Sequence, residues 1–280
     1  MSKRKLEESI HTNLSPDDDY TAYLQLDKLL AAQRPLSDPP HHDEMLFIVQ
    51  HQVAELWIKL LIHEFGRAIE FIRSDEMSPA VKNLARCRHI QNQLYGQWKV
   101  LDTLTPSEYA QFRDVFGKAS GFQSAQYRVL EFMLGNKSRS VLTVYEHQPE
   151  WHEQLKRALK APSLYEEFLM YLARQGLPVP EQVIDRDFSQ MRDEDDAVVS
   201  VLKIIYDDPR KYWVLYETCE ALMDIANNFQ FWRFHHMKTV ERIIGHKSGT
   251  GGSSGVSFLK KAIDCEFFPE LIRVRTEIGV

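Results

Sequence analysis

Cysteine is scarce in this chain of 280 residues. The three cysteines, Cys87, Cys219 and Cys265, lie far apart and are odd in number. No Cys-x-x-Cys pair occurs, which excludes a thiolate metal site and a disulfide framework, and a reducing, cytoplasmic setting follows as the default. The histidines form no His-Glu-x-x-His pattern, so a zinc helix is not expected. Long apolar runs are also missing. Without a stretch of roughly 18 apolar residues, no membrane-spanning helix is expected. Met1–Leu14 is polar and mixed in sign, unlike a signal peptide. Charge of one sign is lacking too. Lys and Arg number 34 against 40 Asp and Glu, a net of −6, and they are scattered. Neither a nucleic-acid surface nor a membrane surface is implied. Strand signals are absent, and no internal repeat is visible.

What is present is helical period. Apolar residues make up 44% and charged residues 26%, enough for one large domain with a substantial core. Tyr23, Leu24, Leu26, Leu29 and Leu30 suit a helix over 21–33, and Pro35–Pro40 breaks it. A long helix is expected from about Asp43 to Arg73 and another from about Ala80 to Leu101. Thr105-Pro106-Ser107-Glu108 reads as a capping box, as does Ser163-Leu164-Tyr165-Glu166, which opens a helix to about Arg174. Residues 185–196 look like an acidic surface excursion. Helices resume over Ala197–Tyr206 and Arg210–Ile244. A glycine-rich loop, Gly249–Gly255, follows, then a short helix and the closing segment Phe267–Val280. The fold class is all-α: one large helical domain built around a bundle, residues 16–280, preceded by a flexible segment, residues 1–15.

Several side chains fit chemistry as well as packing. His51 lies mid-helix, four residues after Phe47 and on the same face. It is either a satisfied core histidine or the polar tip of an apolar pocket. His236 shares its helix face with Phe229, Trp232, Val240 and Ile243. One imidazole in so large an apolar surface suits an axial haem ligand, and core packing is the alternative. His235 points elsewhere. Arg113 sits beside an apolar stripe of Tyr109, Phe112 and Phe116, where a desolvated guanidinium needs an anion. A ligand carboxylate or an internal Glu or Asp would each serve. The glycine loop lacks the order of a phosphate-binding loop and suits a hinged lid with Thr250, Ser253 and Ser254 as hydroxyl donors.

Four segments taken together resemble the tryptophan 2,3-dioxygenases. They are His41–Gln52, Thr105–Arg113 with Ser120-Gly121-Phe122-Gln123-Ser124, Trp232-Arg233-Phe234-His235-His236-Met237, and Gly249–Gly255. The similarity runs from about Ile10 to Val280. The resemblance implies a homotetramer with one ferrous haem b enclosed in each subunit, acting on L-tryptophan and O2. The product would be N-formyl-L-kynurenine, the first step of tryptophan catabolism by the kynurenine pathway. By the same resemblance, His236 is the axial iron ligand and His51 the histidine that meets the indole N–H. Phe47, Ile48, Val49 and Gln50 wall the indole. Arg113 and Tyr109 anchor the carboxylate, and Thr250 meets the amino-acid end. Trp98, Ser120 and Gly121 border haem or substrate. A helix within 16–34, with Tyr20 and Leu24, reaches a neighbouring subunit's site. His235 departs from the family pattern, where arginine is common, and the match of His236-Met237 to the motif favours His236 over its neighbour as the iron ligand. A haem oxygenase acting on another aromatic amino acid is the alternative.

Overall fold

The computed structural model describes residues 6–15 and 17–279, and no strand occurs among them. Of the N-terminal segment, residues 1–5 lie outside the described part, and residues 6–15 are exposed and non-helical. Val280 lies outside it too. Where one helix is expected over 21–33, two short ones form, α1 (Tyr20–Leu24) and α2 (Leu26–Leu30), split by Gln25 at φ 49°. Neither buries a residue, so within the single chain no packing holds them as one rod. The proline segment is fixed to the next helix by Glu44, whose carboxylate accepts from the Leu36 and Ser37 backbone N–H groups and from the Ser37 hydroxyl. Burial raises the Glu44 pKa, but these hydrogen bonds outweigh it and hold the carboxyl below its ordinary value.

The long helix α3 (His42–Arg73) begins as expected, with Asp43 and Glu44 favouring the positive end of the helix dipole. Three residues later α4 (Met77–Gly96) turns back along it. It starts earlier than the expected Ala80, because Pro79 falls in the first turn, where no backbone N–H is required. The helix then stops at Gly96, and a single turn, α5 (Trp98–Leu101), follows. The Thr105 capping box forms on α6 (Pro106–Phe112), and Arg113 opens a 3-10 turn, Arg113–Phe116, instead of extending the helix. Two helices absent from the sequence reading follow, α7 (Ala125–Met133) and α8 (Pro149–Lys160). The Ser163 capping box opens α9 (Leu164–Arg174). After the short α10 (Glu181–Ile184) comes α11 (Asp196–Asp207), capped by Asp195. Residues 185–196 are not wholly surface, since Arg192 pairs with the buried Glu270. The chain closes with α12 (Trp213–Ile244), α13 (Val256–Ile263) and α14 (Pro269–Glu277).

The main core joins Leu61, Phe65 and Ile72 of α3 with Leu84 and Cys87 of α4, Phe168 and Leu172 of α9, Leu202 of α11, and Cys219 and Leu222 of α12, all buried. The half of α3 beyond Ile58 therefore serves the core. The half before it serves a cavity and the surface. One 18-residue window of α3 is apolar enough, at mean hydropathy 1.4, to cross a membrane by length and composition, which the sequence reading did not anticipate. Its Met45, Val49 and Leu56 are exposed.

Candidate active site

A cavity of about 560 Å³ opens between the first half of α3, α5, α6, α12, α13 and the loops at 119–124 and 249–255. That volume matches pockets that enclose a cofactor or a ligand of similar size. One face of α3 supplies Phe47, Gln50, His51, Ala54 and Ile58, spaced as a helix requires. Ile48 and Val49 are on the other faces and do not line the cavity; Val49 is exposed.

His51 has a fixed tautomer. Its Nδ1 lies 2.7 Å from the carbonyl oxygen of Phe47. A carbonyl only accepts, so Nδ1 carries the hydrogen and donates. Burial pushes the His51 pKa down, although the Phe47 carbonyl and Glu55 pull the other way. The ring is thus neutral and Nε2 is a bare acceptor facing the cavity. Phe47 holds that geometry. Its ring is 4.1 Å from His51 and stacks on Phe116 at 4.6 Å.

Across the cavity, His236 stacks on Trp98, with centroids 4.8 Å apart and planes 11° apart, and lies 5.5 Å from Trp232. Burial, with a smaller repulsion from His51, pushes its pKa down to about 4. Neither ring nitrogen of His236 is engaged by another side chain or backbone group among the described residues. The neighbouring His235 differs. Its Nε2 lies 2.8 Å from Asp102, whose other oxygen accepts from the Thr239 hydroxyl. The adjacent histidines therefore part company: His235 is tied to Asp102, while His236 offers a neutral lone pair to the cavity.

The polar end is built by two loops and α6. Arg113 donates to the Ser248 carbonyl at 2.5 Å, and Thr250 donates to the Ala119 carbonyl at 2.5 Å. Burial raises the Tyr109 pKa, against a pull from Arg113, so the phenol keeps its proton and can donate. Ser120 and Gly121 border the same space. Gly251 lies against them so closely that an added Cβ would stand 2.7 Å from the Ser120 Cβ and 2.4 Å from the Phe122 ring. The glycine loop is therefore docked as a lid. Tyr20 and Leu24 are exposed and lie off the cavity of their own chain.

Some of the wall was not anticipated. Arg233 is 3% exposed and donates to the Tyr127 hydroxyl, to Glu131 and to the Cys265 carbonyl. Arg128 pairs with Glu131 as well. This network joins α7 to α12 one turn from His236. Arg233 and Glu131 are 102 residues apart, and no local pattern links them. Glu55, also in the wall, accepts from Gln126 at 2.7 Å.

A metal bound directly by protein would need several ligands, and no group of three or more His, Cys, Asp and Glu able to hold one occurs among the described residues. One bare imidazole in an apolar cavity instead suits an iron that brings its own macrocycle. The Trp98 and Trp232 rings, tilted at 49° with centroids 5.7 Å apart, add flat aromatic surface to the cavity wall, which suits a planar apolar cofactor.

Comparison with known proteins agrees with this geometry. Residues 7–204 and 196–278 match the family model described as tryptophan 2,3-dioxygenase. A protein of that name from Serratia proteamaculans (strain 568) is 56% identical over 279 residues, covering 100% of both chains. Another from Kineococcus radiotolerans is 54% identical over 276 residues, 99% of this chain and 96% of its own. A third from Myxococcus xanthus (strain DK1622) is 53% identical over 278 residues, with the same two coverages.

Proposed function

The chain belongs to the tryptophan 2,3-dioxygenase family, and on that premise we propose that it is the enzyme that opens the indole ring of L-tryptophan at C2–C3 with O2 to give N-formyl-L-kynurenine. The observation that carries this reading is the pairing of two neutral imidazoles across one apolar cavity, His236 bare and His51 with a free Nε2 acceptor.

His236 would hold the iron of a haem b, one in each subunit and ferrous in the active state. When bound, that group supplies the electronic route by which O2 reacts with a closed-shell indole. The remaining work belongs to the chain. The indole N–H donates to His51 Nε2, and Phe47 confines the ring. The substrate carboxylate pairs with Arg113, assisted by the Tyr109 hydroxyl. Thr250 meets the amino-acid end. The docked lid excludes water and holds the reactants at contact.

His51 orients and does not abstract the proton. Indole N–H is a very weak acid, and a histidine whose pKa is depressed by burial is a poor base for it. His51→Ala should retain turnover, reduced on the order of ten-fold in kcat/KM for one lost hydrogen bond. Complete loss of turnover, with haem retained and tryptophan still bound normally, would show that His51 does more.

The lid carries a second expectation. In Gly251→Ala the new methyl group must displace Ser120 or Phe122. KM for tryptophan should rise by about ten-fold through imperfect docking, with haem content unaltered. An unchanged KM would mean that this loop does not close on the substrate.

We further read the protein as a cytoplasmic homotetramer acting at the first step of the kynurenine pathway. Three free thiols support a reducing compartment. Exposed Met45, Val49, Val53 and Leu56 follow one another along α3 at helical spacing, and Tyr20, Tyr23, Leu24 and Leu30 are exposed on α1 and α2. Apolar surfaces of this kind favour burial by another copy, and α1 is placed in this reading against a neighbouring subunit's cavity.

A further inference from the structure

No hydrogen bond from the described residues orients the His236 ring. A histidine that ligates a metal is ordinarily fixed by a carboxylate or carbonyl that accepts from its other ring nitrogen. Here a flat surface lies against the ring instead. The Trp98 indole is parallel to the imidazole within 11°, at 4.8 Å. The orientation of His236 therefore depends on where Trp98 sits.

Trp98 opens α5, a single turn of four residues. One isolated turn does not support itself. Trp98, Leu101 and Leu104 are buried with Phe112, and Trp232 packs against them. Apolar packing of this kind is non-directional. The directional contact comes from Asp102, at the end of the turn. Its backbone N–H donates to the Trp98 carbonyl at 2.8 Å. Its carboxylate reaches α12, with one oxygen 2.8 Å from His235 Nε2 and the other accepting from the Thr239 hydroxyl at 2.5 Å. An ionised carboxylate only accepts, so His235 Nε2 carries the hydrogen and donates. Burial raises the Asp102 pKa, but these two hydrogen bonds outweigh it and hold the carboxyl below its ordinary value. His235 and Thr239 are one turn apart on α12, and His236 lies between them in the chain. A single side chain thus ties the Trp98 turn to the stretch of α12 that carries His236.

We propose that Asp102 is a positioning residue for the iron ligand: by joining the Trp98 turn to His235 and Thr239, it holds the Trp98 ring flat on His236 and so fixes the plane of the imidazole at the iron. The proposal rests on the haem reading above. It also gives His235 a task other than ligation, as one half of the tether.

The test loads the full-length protein with haem and reads two quantities. One is the iron–imidazole stretching band of the reduced protein, by resonance Raman. The other is the rate at which the oxidised protein yields haem to excess apomyoglobin. Asp102→Ala should shift or broaden the band and speed haem loss by roughly ten-fold, and Trp98→Leu should do the same. Because Asp102 acts through Trp98, the double variant should lose haem no more than about twice as fast as Trp98→Leu alone. Asp102→Asn keeps the tether, since its oxygen can accept from Thr239 and its amide can donate to the other tautomer of His235. It should show the wild-type band and stay within about three-fold in haem loss. Far-ultraviolet circular dichroism of the haem-free variants checks the fold. If Asp102→Ala does not fold, Thr239→Val, which cuts one bond and keeps the bulk, takes its place with a loss about three-fold faster. An unaltered band in the variant that cuts the tether overturns the proposal and leaves the haem reading intact. So does a double variant whose loss is the product of the two single ones, or an Asp102→Asn as impaired as Asp102→Ala. Failure of the wild-type protein to bind haem, or bound haem with no iron–imidazole band, overturns both.

Discussion

His236→Ala should purify without haem, resist reconstitution, and lose more than about 100-fold in cofactor affinity, since even indirect supports of a metal site cost ten- to a hundred-fold. The reason lies in the single bare nitrogen. His236 is neutral because burial depresses its pKa to about 4, so its lone pair is available throughout the neutral range. No other histidine offers one from a cavity wall except His51, and the Nε2 of His51 is required for the indole. The fold should survive, because alanine suits the middle of α12 better than histidine does. Added imidazole should restore part of the haem uptake by filling the vacated space. His235→Ala is the matching control. Its ring is tied to Asp102, so its removal should leave haem in place. Retention of haem by His236→Ala, with loss in His235→Ala, would exchange the two roles.

Arg113→Ala should weaken L-tryptophan binding by about 2–5 kcal/mol, the usual cost of removing one partner from a shielded charge pair. Tryptamine, which has no carboxylate, separates the two tasks that Arg113 performs. The guanidinium also donates to the Ser248 carbonyl and so helps seat the lid. If recognition of the carboxylate dominates, tryptamine affinity should hardly change. Equal losses for both ligands would assign Arg113 to lid closure alone. Arg113→Lys should rescue little, because a lysine cannot present two parallel donors to a carboxylate.

Much of the fold was legible because its signals are local. The Thr105 and Ser163 capping boxes are short-range motifs, and both form as expected. The lengths of α3 and α12 follow from uninterrupted apolar period. Other elements were legible but passed over. Trp151, Leu155 and Leu159 after Pro149 carry the signal for α8. Helix α7 was obscured, because in sequence its Tyr127, Arg128 and Glu131 suit a helix face turned to water. They belong to a buried network closed by Arg233 from α12, a pairing that only the tertiary fold creates. The split between α1 and α2 has the opposite cause. Its apolar period is real, but the single chain offers nothing to pack against.

The candidate site divides in the same way. His51 and His236 could be placed on helix faces from spacing, and segment resemblance supplied their roles. Which residues around His51 face the cavity follows from the 100° step of the helix, so Phe47 and Gln50 line it and Ile48 and Val49 do not. Proximity between His51 and Phe47 could be expected from spacing. The hydrogen bond that fixes the tautomer could not, because it depends on ring rotation within the folded cavity.

Dioxygenation of tryptophan in this cavity can be read from the product alone. The protein reconstituted with haem, reduced, and supplied with L-tryptophan and isotopically labelled O2 tests it most directly, with the product read by mass. The expected product is N-formyl-L-kynurenine containing both labelled oxygen atoms. A haem-loaded protein that adds a single labelled atom, or returns tryptophan unchanged, would contradict it.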